Sequence, residues 1–207
     1  MELTVANRRA IERACRRVRH ALNMSNDDDI VRVSKELAVE EAMAIIGEEE
    51  RVAPFVEPLL EATSEVEVAA YEALIERYTK PFPSITNEQL RQLWKKEKKL
   101  SVPKVELVDW GELVYFTWKD VAKRTQYIVA HDGEAYRTVK GTIGLELKDG
   151  ICAICREPTL TRPFTVTHRI RGQRRSQTNA ICANPTDCNA RLADERHLHR
   201  FIDRQQQ

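Results

Sequence analysis

The sequence predicts an α+β protein: an N-terminal helical bundle, then a mixed α/β domain with a treble-clef-like four-cysteine zinc finger. Three observations predict it. Apolar residues recur at spacings of three and four through the first 80 residues. The pattern changes to period two after Pro103. Two cysteine pairs, Cys152 with Cys155 and Cys182 with Cys188, follow at a separation of 26 residues.

Ile11, Cys15, Val18 and Leu22 share one face of a first, arginine-rich helix. Cys15 stands alone on that face and reads as a core thiol. The acidic cluster Asp27-Asp28-Asp29 suits the start of a second helix, with Ile30, Val33 and Leu37 as its apolar face and Gly47 as its stop. Pro54 and Pro58 are expected to break the next stretch. Val68, Tyr71, Ile75 and Tyr78 make a further helical face. Pro81-Phe82-Pro83 closes the bundle, so the domains are residues 1–80 and 81–207. Thr86 and Gln89 form a capping box for a short helix carrying Leu90, Leu93 and Trp94, which runs into the basic segment Lys95–Lys99. Leu113, Tyr115 and Thr117 alternate with Val114, Phe116 and Trp118, as in a strand. Asp132-Gly133, between Tyr127–Val129 and Tyr136–Val139, signals a tight hairpin with positive φ at both turn positions. Phe164–Thr167 reads as a strand. Thr186 to Arg204 reads as one helix packing Leu192, Leu198, Phe201 and Ile202.

Charge is unevenly spread. Residues 1–80 hold 11 Lys+Arg against 17 Asp+Glu, and residues 81–207 hold 22 against 15. This split suits two modules with different partners. No apolar run approaches the roughly 18 residues of a membrane span, and no secretory signal is visible. The expected compartment is the cytoplasm, where reduced CxxC pairs bind metal. The motifs GxSxG, Walker A and HExxH do not occur, which points away from an enzyme.

The four cysteines are the expected ligands of one Zn2+. Thiolates from two tight turns give zinc the tetrahedral set it favours, and four cysteines leave no open position for catalysis. The implied order is knuckle, strands, then a last ligand at a helix start. His168, His197 or His199 remain alternatives for one ligand. Between the pairs, Arg169, Arg171, Arg174 and Arg175 form an expected loop able to meet phosphate or an acidic protein surface.

From Pro81 to about Ile202 the ordered set Pro81-Phe82-Pro83, Lys98-Lys99-Leu100, Tyr115, Trp118, Gly141-Thr142, Gly150-Ile151-Cys152-x-x-Cys155, Phe164-Thr165-Val166 and Asn179-x-Ile181-Cys182 resembles the FusB-type elongation factor G-binding proteins. The resemblance implies a helical N-terminal bundle and a zinc domain that binds elongation factor G. It further implies an adaptor that promotes release of that factor from the ribosome and so protects translation from fusidic acid. It implies contact residues at Phe164 and at Phe201 in the last helix. Two family positions depart: Ala180 replaces an aromatic residue and Gln177 a basic one. The alternative reading is a zinc-containing RNA-binding protein that meets the ribosome directly through Lys95–Lys99 and the arginine segment.

Overall fold

A computed structural model of the chain describes residues 2–47, 53–97, 99–170 and 173–205. Contacts divide the chain into two compact units, Met1–Lys80 and Pro81–Gln207.

The first unit is helical: α1 (Val5–Met24), α2 (Asp28–Ile46), α3 (Ala53–Glu61) and α4 (Glu65–Arg77). The starts of α1, α2 and α4 follow from side-chain caps. Thr4 accepts the Asn7 N–H, Asp27 that of Asp29, and Ser64 forms a reciprocal capping box with Glu67. Gly47 ends α2 with φ of 101°, a backbone setting open to glycine. Ile11, Cys15, Val18, Val68, Tyr71 and Ile75 meet in one core.

Two helical expectations change. Ile30, Val33 and Leu37 are 52%, 44% and 50% exposed, and α2 instead buries Ala38, Val39 and Ala42. Periodicity located the helix, but small residues let it pack closely, and the stripe of larger residues faces outward. Pro58 lies within α3 rather than ending it. Its lost N–H bond falls at the sixth position of a nine-residue helix, so little helix remains to disrupt.

The second unit opens with α5 (Asn87–Leu93), capped by the Thr86/Gln89 box. Two short 3-10 turns follow, Val105–Leu107 and Trp110–Glu112. The strands are β1 (Phe116–Asp120), β2 (Thr125–His131), β3 (Tyr136–Ile143), β4 (Lys148–Ile151), β5 (Pro158–Ile170) and β6 (Gln173–Cys182). They form one antiparallel sheet in the order β1-β2-β3-β5-β4, with β6 also paired to β5. Trp94, Trp118 and Tyr127 pack on one another, with ring centroids 4.7–5.3 Å apart.

The Asp132-Gly133 loop runs over four residues, and Gly133 alone has positive φ, at 98°. Asp132 makes the longer loop stable by accepting the N–H groups of Glu134 and Ala135 at 3.1 and 2.9 Å. The final expected helix is two, α6 (Pro185–Arg191) and α7 (Glu195–Arg204). Asp194 starts the second by capping the Arg196 N–H. No helix among the described residues is long and apolar enough to cross a membrane.

Candidate metal centre

Three elements bring the four cysteines together. Cys152 and Cys155 lie in the turn after β4, Cys182 ends β6, and Cys188 sits in the first turns of α6. This knuckle, hairpin and helix order is that of a treble clef. The turn is tight: the Arg156 N–H donates to the Cys152 carbonyl at 2.9 Å, and Arg156 carries φ of 64°. That left-handed setting costs a non-glycine residue about 1 kcal/mol. The Ala153 N–H donates to the Ala180 carbonyl at 2.8 Å and fixes the knuckle to β6.

All four sulphurs are buried and lie within 4.8 Å of one another. Cys152 and Cys188 Sγ are 3.8 Å apart, and Cys155 and Cys182 Sγ are 3.6 Å apart. A tetrahedron with metal–sulphur bonds of about 2.3 Å has edges of about 3.8 Å, so the donor set fits one tetrahedral ion. All four are free thiols. The N–H groups of Ile154 and Cys182 point at Cys152 Sγ from 3.4 and 3.3 Å. His168, His197 and His199 are not members of the cluster.

The electrostatics favour a cation. Hydrogen bonds from Cys155, Cys182 and Cys188 hold the Cys152 thiol far below its ordinary range. The same sulphur, with Cys155, pushes Cys182 and Cys188 well up. The bare cluster thus accepts negative charge at Cys152 and resists it at Cys182 and Cys188, whereas a divalent ion stabilises several thiolates together.

Two residues that sequence reasoning missed complete the centre. Asn189, one position after the last cysteine, is buried. Its Oδ1 accepts the N–H groups of Val114 and Tyr115 at 2.8 and 3.1 Å, and its Nδ2 donates to the Tyr115 carbonyl at 3.1 Å. These bonds explain why the expected strand at Leu113 begins only at Phe116: the Val114 and Tyr115 amides are already satisfied by α6. Tyr115 is fully buried, and burial first, then Cys188, pushes its phenol far above the usual range.

The expected partner residues are placed differently from one another. Phe164 and Phe201 are 0% and 4% exposed, with ring centroids 5.7 Å apart. The resemblance implies both as contact residues, but both are internal here, and Phe201 packs as its place on the helix predicts. Phe164 is seated on Gly141, where an added Cβ would come within 2.6 Å of the ring. Arg174 and Arg175 are exposed, but they belong to β6 rather than to a loop. Arg169 lies in β5 opposite Arg174. Arg171 falls outside the described residues, as does Lys98 of the basic segment. Exposed apolar side chains lie instead beside the knuckle: Ile151 and Leu160 are 60% and 46% exposed, and Leu145 and Leu147 are also open to solvent.

No protein-family model matches the chain, and no curated protein matches it by sequence. Its fold is similar to that in a solved structure described as "Structure of the fusidic acid resistance protein FusC". The TM-score is 0.81 at 21% sequence identity, covering 98% of this chain and 96% of that one. The likeness spans both units and establishes the fold.

Proposed function

We propose that this protein is a cytoplasmic, non-enzymatic adaptor that binds elongation factor G, promotes its release from the ribosome and thereby protects translation from fusidic acid. The observation that carries the reading is the fold shared with a fusidic acid resistance protein over nearly the whole of both chains. Zn2+ held by Cys152, Cys155, Cys182 and Cys188 supplies cross-linking, not chemistry, because four cysteine ligands close its coordination. The cross-link keeps β4, β6 and α6 in a fixed arrangement. Such a rigid face distinguishes two states of a partner better than a pliable one. Only unequal affinity for the ribosome-locked and departing states of the factor shifts its release, and a tenfold shift needs about 1.4 kcal/mol.

The apolar anchors of this face are Ile151 and Leu160 next to the knuckle, since Phe164 and Phe201 are internal. Gel filtration of the purified chain with purified elongation factor G tests the reading, and co-elution without ribosomes is expected. Ile151→Asp with Leu160→Asp should weaken it by about 2 kcal/mol or more while metal content stays at one ion. Stopped-flow measurement should then show faster dissociation of labelled factor from fusidic-acid-stalled ribosomes. Separate elution of chain and factor rejects the adaptor. An unchanged dissociation rate despite co-elution rejects the release step.

A further inference from the structure

The β5–β6 hairpin differs from the rest of the sheet. Among the described residues, positions 166–170 of β5 pair with β6 alone, so the outer half is a two-stranded ribbon. Residues 173–178 are all exposed. No Asp or Glu occurs from residue 158 to residue 186, while five arginines do. Arg169 stands opposite Arg174. Like charges directly opposed across strands destabilise a sheet, so this ribbon carries charge that its own fold does not use. Neither Arg174 nor Arg175 ion-pairs with a described residue.

One face of the ribbon is lined with hydroxyls. Thr165 pairs with Thr178 and Thr167 with Ser176, each pair of oxygens 2.8 Å apart, and Arg174 continues that face. No described side chain of the ribbon is an exposed large apolar group. A protein partner takes its affinity from buried apolar and aromatic anchors, which this surface lacks. A phosphate backbone needs cations and small hydrogen-bonding groups, which it has.

We propose that the β5–β6 ribbon is a sequence-independent RNA-binding arm. Arg174, on the hydroxyl face, and Arg175, on the opposite face, neutralise phosphates on either side of the ribbon, and the paired hydroxyls meet ribose 2′-hydroxyls across the wide, shallow minor groove of A-form RNA. This surface is separate from the Ile151/Leu160 face, so the chain holds a protein and an RNA at different places.

The test is fluorescence anisotropy of the full chain with a fluorescein-labelled RNA hairpin, titrated in KCl from about 50 to about 200 mM. Each phosphate neutralised on duplex steepens the salt slope by about 0.9, so R174Q/R175Q should lose about 12-fold less affinity over that range than the parent chain. R174K/R175K should keep the parent slope. Metal content should not change in either variant, and loss of co-elution with elongation factor G in R174Q/R175Q would assign the ribbon to that factor and overturn the RNA arm. No binding at about 50 mM KCl, or an unchanged slope in R174Q/R175Q, overturns it. Equal affinity for a DNA hairpin of the same sequence removes the 2′-hydroxyl assignment and with it the RNA arm. Competition by polyglutamate as effective as that by RNA at equal charge reassigns the ribbon to an acidic protein.

Discussion

Cys15 in the helical unit and Cys152 in the cysteine centre are both 0% exposed, yet their thiols are driven in opposite directions. Burial first, then the nearby Glu72 charge, pushes Cys15 up to about 12. Three neighbouring thiols hold Cys152 far below its usual range. Depth alone therefore does not make a cysteine a ligand. What separates the two regions is the company each thiol keeps: Cys15 lies in an apolar core outside the cluster, whereas Cys152 has three further sulphurs within 4.8 Å. The helical unit uses its cysteine as a small apolar group, and the second unit gathers four into a donor set that fits one metal ion.

The largest expected break of that comparison is metal removal. Structural zinc contributes on the order of 10 kcal/mol to small domains, so stripping the ion should unfold residues 81–207 and leave α1–α4 helical. All three tryptophans, Trp94, Trp110 and Trp118, lie in the second unit, so their emission reports it alone. Emission unmoved by confirmed metal loss would mean that the aromatic core, not the ion, holds the unit. Single substitutions come next. Cys188→Ser should cost several kcal/mol in denaturant and lower metal content, while Cys15→Ala should cost about 1 kcal/mol with metal content unchanged. Similar losses from both variants would erase the distinction.

Asn189→Ala is expected to cost about 2–4 kcal/mol, since it strands two buried N–H groups and a carbonyl. Asn189→Asp keeps the acceptor for both N–H groups, so a loss from Asp equal to that from Ala would show that those two bonds contribute little. The weakest expected effect is one of pH on Cys15. The Cys15 pKa is raised from about 9 to about 12 on folding. Its contribution is fully present below pH 9 and is lost as pH rises from 9 towards 12, because the unfolded thiol ionises first. Each pH unit in that window should remove up to about 1.4 kcal/mol from the parent and none from Cys15→Ala. Parallel alkaline unfolding curves for the two proteins would show that the thiol stays neutral in neither state.

The features legible in the sequence were those written in local spacing. Cysteine intervals, the cap at Thr86, the acidic start at Asp27 and the stop at Gly47 need only a few neighbouring residues to act. What stayed hidden was set by distant parts of the chain. The outward turn of Ile30, Val33 and Leu37 depends on which side of α2 its neighbours reach, and periodicity cannot say. Phe164 is internal because it closes on Phe201 and on Gly141, partners that no local pattern names. Asn189 gave no signal except its place beside Cys188, since its partners lie 74 and 75 residues earlier.

That separation has a consequence for the order in which the chain matures. Closing Val114–Tyr115 onto Asn189 directly means closing a loop of 75 residues. Once an ion joins Cys152 to Cys188, the path from Tyr115 shortens to about 38 residues, and halving a loop lowers its closure cost by about 0.6 kcal/mol. During synthesis neither step is open until residues 188 and 189 have emerged, after all six strands of the sheet. Until then the entry to β1 has N–H groups without their final acceptor, so ion capture and the docking of the sheet's first strand become one late event.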